Sequence, residues 1–301
     1  MAVILRESAP SFKDIAALTK PKITLMTMIV AGGGMLIASD ELSLTKSMLA
    51  LIGIAFLVSG SSAFNMYWER DFDALMSRTR NRPLPSGRME PFWAMSVGWL
   101  FSIFAIPVLL LASNTLTTML GLFSLVAYVL IYTPMKRVSC LSLIVGAVPG
   151  AMPALMGYTA ASGKLDGKGL ALFGLAFIWQ LPHFIAISIF RKDEYTKAGY
   201  PVVAQVTGIF AAKILIVLTT ILIIISSLSL FYIGLGGIFY CVCSVLLGAW
   251  FLSETSLGFF TNDVDAWSKR VFYASLFYQL FLFMALGIDV LVSRGVYSWL
   301  N

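Results

Sequence analysis

The sequence predicts an all-α polytopic membrane protein of about nine spanning helices, and three observations carry that prediction. Of 301 residues, 59% are hydrophobic and only 12% charged, with a mean hydropathy of +0.88. A soluble domain typically carries about 25% charged residues. Apolar runs long enough to cross a bilayer, about 20 residues each, recur along the chain. The basic residues then sort by loop, as they do in proteins whose cytoplasmic loops collect Lys and Arg.

In order, the spans are read at 22–39, 47–65, 92–112, 115–132, 141–159, 169–190, 210–231, 233–252 and 271–292. Gly234, Gly236 and Gly237 mark the turn between the seventh and eighth. Seventeen of the 21 Lys and Arg residues fall on one side of this arrangement. They are Arg6, Lys13, Lys20 and Lys22; Arg70, Arg78, Arg80, Arg82 and Arg88; Lys136 and Arg137; Arg191, Lys192, Lys197 and Lys213; and Lys269 and Arg270. Only Lys46, Lys164, Lys168 and Arg294 fall on the other. An error of one helix in the middle would scramble this split. It predicts a cytoplasmic N-terminus and an external C-terminus in a multi-pass protein of a bacterial inner membrane. The net charge of +6 is thereby a topology signal, and nothing in it calls for a nucleic-acid partner.

No cleavable signal peptide is expected, because the first apolar run starts too late and lacks a cleavage site. Glu7 and Asp14 argue against a mitochondrial transit peptide. Cys140, Cys241 and Cys243 read as small packing residues; the C-x-C at 241–243 is too short for a tetrahedral zinc site.

The chain reads as one domain over 1–301 with an internal duplication. Half-repeats of roughly 15–132 and 133–252 each open on a Pro- and Lys-containing segment, Leu18-Thr19-Lys20-Pro21-Lys22 and Thr133-Pro134-Met135-Lys136-Arg137. In each, the second span ends in an acidic cluster. The final span, 271–292, is appended. Parallel repeats commonly place a site between the halves.

The first acidic cluster holds Asn65, Glu69 and Asp73 at i, i+4 and i+8. At about 100° per residue these fall on one helix face, and Asp71 points elsewhere. Oxygen ligands at a membrane boundary are costly unless neutralised, and they suit Mg²⁺, which fills its shell with phosphate and water. The following loop carries Arg78, Arg80, Arg82 and Arg88 among Pro83, Pro85 and Gly87; Arg offers planar bidentate donors to phosphate. The second cluster is Arg191-Lys192-Asp193-Glu194-Tyr195. Alone, either cluster is a solvated helix end. Together, at equivalent places in two half-repeats, they point to a metal-held diphosphate. In a bilayer the fitting substrate is a prenyl diphosphate, its tail between helices and its head at the surface. Tyr67, Trp68, Phe72, Trp179 and Phe184 lie close by in sequence and offer π faces to an allylic cation, although interface-belt duty is the plainer reading for most of them.

The segment Asn65 to Gly87, with Glu69-Arg70-Asp71-Phe72-Asp73, Met76, Arg78-Thr79 and Arg82-Pro83-Leu84-Pro85-Ser86-Gly87, resembles the signature of the UbiA-type intramembrane prenyltransferases. Three further segments are similar to the protoheme-farnesylating subfamily. They are Leu18-Thr19-Lys20-Pro21, Gly146 to Pro153, and Trp179-Gln180-Leu181-Pro182-His183-Phe184 followed by Phe190 to Pro201. The resemblance covers nearly the whole chain. It implies transfer of a farnesyl group from farnesyl diphosphate to a vinyl group of heme B with water addition, and Mg²⁺ as cofactor. It implies Asn65, Glu69, Asp73 and Asp193 as catalytic metal ligands. Lys22, Arg70, Asp71, Arg78, Arg82, Lys136, Arg137, Trp179, His183, Arg191, Lys192, Glu194 and Tyr195 become substrate-binding residues. The lipid bilayer is a further partner, and heme-copper oxidase biogenesis proteins are admitted as others. The family usually carries Asp where Glu69 stands, one methylene shorter.

His183 is the only histidine. Iron ligand, proton acceptor and packing residue are all open to it. If the sixth span continues as helix to Asp193, His183 lies ~15 Å deeper. Two other functions stay in view: a sister prenyltransferase with an aromatic or chlorophyll-type acceptor, and a membrane transporter or assembly factor. The gathering of acids at one membrane face, not the midplane, weighs against the last.

Overall fold

The computed structural model describes residues 10–38 and 43–300, with side chains to 293. Arg6, Glu7 and the side chain of Arg294, which bear on topology and targeting, lie outside the described residues. Among those residues there is no β-strand, and nine helices are long and apolar enough to cross a membrane.

A short helix α1 (Phe12–Leu18) is capped by Ser11, whose Oγ accepts from the Asp14 amide. The spans follow as α2 (Pro21–Ala38), α3 (Leu44–Asp73), α4 (Pro91–Ala112), α5 (Thr115–Met135), α6 (Ser142–Ser162) and α7 (Gly167–Phe190). Two short helices, α8 (Lys192–Lys197) and α9 (Val203–Val206), precede α10 (Ile209–Tyr232). The chain closes with α11 (Ile238–Phe259) and α12 (Val264–Leu300). All nine expected spans are present. Helix α3 stays helical eight residues past 65, the expected end of its span, and so carries the whole first acidic cluster. Gly234, at φ 71°, makes the turn between α10 and α11.

Side chains facing outward from the spans are apolar, among them Trp99, Ile103, Leu111, Leu218 and Leu246. A lipid solvent supplies no hydrophobic drive between helices, so close packing and small residues must hold them. The α2–α6 crossing uses this directly. A Cβ on Gly34 would collide with the Ala154 carbonyl oxygen, and one on Gly157 with that of Ala31. Backbone meets backbone there, and no larger residue fits without parting the helices. Further packing of α3 on α4, α6 on α7, and α7 on α10 and α12 completes the bundle, with α12 returning to α2. Helices α2, α3, α5, α6, α7 and α12 surround one central cavity.

Candidate active site

Helix α3 supplies the acidic wall of that cavity. Asn65, Glu69 and Asp73 share one face as the spacing requires, all three are buried, and all three line the cavity. Each is matched by one cation. Lys20 Nζ donates to Asn65 Oδ1 at 2.8 Å, Lys136 Nζ to Glu69 Oε1 at 2.5 Å, and Arg82 Nη1 to Asp73 Oδ2 at 2.7 Å. Burying unpaired charge is costly, so each of the two carboxylates folds against a cation, while the neutral Asn65 amide accepts from the third. Asn65 is oriented from its other end as well: its Nδ2 donates to Thr133 Oγ1 at 3.2 Å, which donates to the Tyr128 carbonyl at 2.8 Å.

The cations come from three separate places. Lys20 sits in the two-residue turn between α1 and α2 and has φ +47°, the only non-glycine residue with positive φ among those described. A residue before proline avoids the α region, and left-handed backbone costs roughly 1–2 kcal/mol. Thr24 Oγ1, donating to the Thr19 carbonyl at 2.8 Å, holds the turn that aims Lys20 inward. Burial pushes the Lys20 ammonium down to about 7; Arg82 and Lys136 push the same way, while Glu69 and Asp73 oppose. Arg82 comes from the loop after α3, folded back by Thr79 Oγ1 donating to the Asp73 carbonyl at 2.8 Å. Lys136 follows α5, whose residues Ala127–Tyr132 form a π-helical turn, a feature frequent at functional sites. That turn sets both Tyr128 and Tyr132 on the cavity, with Lys136 Nζ 4.5 Å from the Tyr132 ring centre. Burial lowers the Lys136 ammonium, but the charge of Glu69 and its hydrogen bond more than offset this and hold it well above the usual lysine value.

The cavity has a volume of about 820 Å³, within the usual range of small-molecule sites. Its charged mouth gives way to an apolar interior bounded by Val30, Val58, Leu143, Trp179, Phe184, Phe272 and Leu276. His183 is buried there. Its Nδ1 lies 2.8 Å from Ser275 Oγ, and its ring is stacked on Trp179.

Of the residues expected at the site, Asn65, Glu69, Asp73, Lys22, Arg78, Arg82, Lys136, Trp179, His183 and Tyr195 line this cavity. Others do not. Asp71 is 79% exposed and pairs with Arg70 at 3.7 Å. Arg70 itself lies over the Tyr67 ring at 4.6 Å, and Arg137 over Phe72 at 4.2 Å. In the second cluster the continuous helix expected toward Asp193 is broken: α7 ends at Phe190, and Arg191 has φ −112°. The ~15 Å depth for His183 therefore does not hold; seven residues to Phe190 give about 10 Å. The break leaves Asp193 exposed and Lys192 half-buried, neither on the cavity. Glu194 is the carboxylate turned toward the first half. It accepts from Ser77 Oγ and, at 3.3 Å, from Arg191 Nη1. Phe72, Met76, Tyr195, Ala198 and Tyr200 cluster around the same joint.

Other lining residues give weaker signals in the sequence. Lys20 is visible only as part of a Lys-Pro motif. Tyr128, Tyr132 and Tyr200 are indistinguishable there from belt aromatics, and Phe272, Leu276 and Gln279 of α12 carry no local signal at all.

The sequence profile of the UbiA prenyltransferase family matches residues 25–281. The chain is 43% identical to the protoheme IX farnesyltransferase of Anaeromyxobacter dehalogenans, covering 92% of this chain and 94% of that one. It is 41% identical to that of Myxococcus xanthus, covering 94% and 97%, and 37% identical to protoheme IX farnesyltransferase 1 of Bacillus subtilis, covering 92% and 90%. In three dimensions it is similar to a digeranylgeranylglyceryl phosphate synthase, with TM-score 0.78 at 16% identity over 92% of this chain and 98% of that one. A UbiA homolog from Archaeoglobus fulgidus bound to GPP and Mg²⁺ gives TM-score 0.66 at 19% identity, covering 92% and 99%. With the profile spanning all but the ends of the sequence and these relatives matching it nearly end to end, the chain belongs to the UbiA prenyltransferase family.

Proposed function

We propose that this protein transfers the farnesyl group of farnesyl diphosphate to a vinyl group of heme B, releasing diphosphate and, with water, forming the hydroxyethylfarnesyl side chain of heme O. The observation that carries this reading is the polarity of one cavity: paired acids and cations at the mouth, aromatic and aliphatic walls within. A diphosphate head suits the first and an apolar tail with a macrocycle suits the second. The three relatives named for this activity support heme as the acceptor.

The donor set at the mouth fits Mg²⁺. Asn65, Glu69 and Asp73 offer side-chain oxygens, as that ion prefers. Among the described residues no three carboxylate, imidazole or thiol groups converge to enclose a metal, so phosphate and water oxygens would complete its shell. The homolog bound to GPP and Mg²⁺ supports this pairing. When bound, Mg²⁺ neutralises charge on the departing diphosphate. Lys20, Arg82 and Lys136 then exchange their side-chain partners for phosphate oxygens and hold the head in place. The C1–O bond breaks with its electron pair leaving on diphosphate. Tyr128 and Tyr132 line the cavity beside these groups, and their π systems would stabilise the allylic cation. The vinyl π electrons form the new bond to C1, water adds to the resulting cation, and one proton leaves.

We read the molecule as a single domain of two half-repeats with α12 appended, lying in a bacterial inner membrane with its acidic mouth at the cytoplasmic face. The basic-residue split supports that orientation. Reporter fusions in the loops at 74–90 and 198–208 are expected to read cytoplasmic and fusions at 163–166 external; the reverse pattern overturns it. The activity is tested by incubating purified protein with heme B, farnesyl diphosphate and Mg²⁺, and analysing hemes by mass spectrometry. Heme O is the expected product. Prenylation of another acceptor, with heme B left unchanged, would overturn the assignment.

A further inference from the structure

The hydrogen bonds around His183 decide which of its ring nitrogens carries the proton. Ser275 Oγ lies 2.7 Å from the Phe272 carbonyl oxygen. A carbonyl cannot donate, so the hydroxyl hydrogen points there. The same Oγ lies 2.8 Å from His183 Nδ1. With its hydrogen committed, Ser275 can only accept, and Nδ1 must be the donor. The neutral imidazole is thereby held as the Nδ1–H tautomer, and Nε2 keeps its lone pair.

Nothing else among the described residues uses that lone pair. His183 is 8% exposed, and what remains open faces the cavity. The ring is clamped against Trp179, centroids 5.0 Å apart at 28°, and Phe272, 4.6 Å apart at 32°. Trp179 Nε1 donates to the Ser275 carbonyl at 2.6 Å, which ties the serine's backbone to the same clamp. Two aromatic rings pack against the imidazole, and the Nε2 lone pair lies in the ring plane, free for a partner from the cavity. That is the direction of metal coordination.

The arrangement does not suit proton transfer. The chain from Nδ1 through Ser275 ends on a carbonyl, which cannot pass a proton onward. Metal-bound histidines characteristically donate their second N–H to an oxygen that fixes tautomer and ring angle.

We propose that His183 Nε2 is the axial ligand to the iron of the heme substrate, and that Ser275 is the positioning residue that holds it in the ligating tautomer. Coordination by His183 fixes the iron in the deep end of the cavity and sets the plane of the macrocycle across the Nε2 axis. The proposal deepens the function proposed above and rests on its choice of a heme acceptor.

The single histidine makes the test direct, provided the protein is purified without a histidine tag. Ferric heme B is added to protein labelled with [15N]histidine, and nitrogen hyperfine coupling at the iron is measured by pulsed electron paramagnetic resonance. Coupling to the 15N label is expected, and since only His183 can supply it, no variant is needed for the assignment. Absence of that coupling with heme bound overturns the proposal, whatever the variants do. Ser275→Ala is expected to weaken heme affinity by about tenfold or more, with farnesyl diphosphate affinity unchanged and Ser275→Thr restoring most of the loss. His183→Gly is expected to lose the spectrum of histidine-ligated heme and regain it with added imidazole; an unchanged spectrum refutes ligation. Heme O formation is assayed on the same samples. If wild-type protein binds heme through His183 but makes no heme O, the reaction assignment fails and the ligand assignment stands. If heme O forms normally without the histidine coupling, the ligand assignment fails and the reaction assignment stands.

Discussion

The two acidic clusters occupy the same end of the bundle, yet they are built differently. In the first, helix α3 runs unbroken through Asn65, Glu69 and Asp73, and the i, i+4, i+8 spacing turns all three into the cavity. In the second, α7 stops at Phe190 and the acids ride on the six-residue helix α8. A continuous helix converts sequence spacing directly into a shared face. A break resets the rotation, so spacing in the second cluster no longer says where a side chain points. Asp193 ends up exposed, while Glu194 meets Ser77 of the opposite loop. On the proposed reading the first cluster holds the metal and diphosphate, and the second touches the loop that follows it through Glu194 and Ser77.

The largest expected effect tests the first cluster. Asn65→Ala and Asp73→Ala should each lower kcat/KM by at least ~100-fold, because each removes a group that holds the leaving diphosphate's counter-charge. Normal turnover by Asp73→Ala at saturating Mg²⁺ would erase the functional contrast between the clusters.

Lys20 gives the next effect, through pH. Its free-protein pKa is about 7, and an arriving diphosphate favours the charged form, so the bound pKa is higher. Between those two values binding takes up a proton. Affinity for farnesyl diphosphate should therefore fall about tenfold per pH unit as pH rises above 7, and stay level below it for this group. The slope should vanish in Lys20→Met; equal slopes in the two proteins, from titrations between about pH 6 and 9 that bracket that value, would remove Lys20 from the head-group site.

In the second cluster, Glu194→Ala should cost about tenfold in kcat/KM, the scale of one lost hydrogen bond to a charged group. A protein that matched wild type would mean that the Ser77 contact has no part in turnover. Glu69→Asp should stay within about threefold of wild type, because the flexible Lys136 stem can follow a carboxylate withdrawn by one methylene. A loss comparable to Asp73→Ala would instead place strict geometric demand on that position. Smallest of all, Asp193→Ala should change turnover by about twofold or less, as for an exposed residue outside the cavity. If it fell as far as Asp73→Ala, α8 would have to turn inward on binding substrate, and the second cluster would rank with the first.

What the sequence determined by itself follows from periodicity and solvent. Twenty-residue apolar runs must be helices, because only a helix satisfies its own backbone in lipid, and all nine spans were legible for that reason. The face shared by Asn65, Glu69 and Asp73 was legible because helical geometry links residues four apart. Tertiary structure alone decided the rest. The partners of those side chains, Lys20, Arg82 and Lys136, lie 45, 9 and 67 residues away in sequence from Asn65, Asp73 and Glu69, and no local pattern relates them. Asp193 and Glu194 are adjacent and alike in chemistry; the break at Arg191 separates their roles. Ser275 is an ordinary serine in an apolar helix until α12 packs against α7 and brings its hydroxyl to His183, because a tautomer is set by contact across space and leaves no trace in the order of residues.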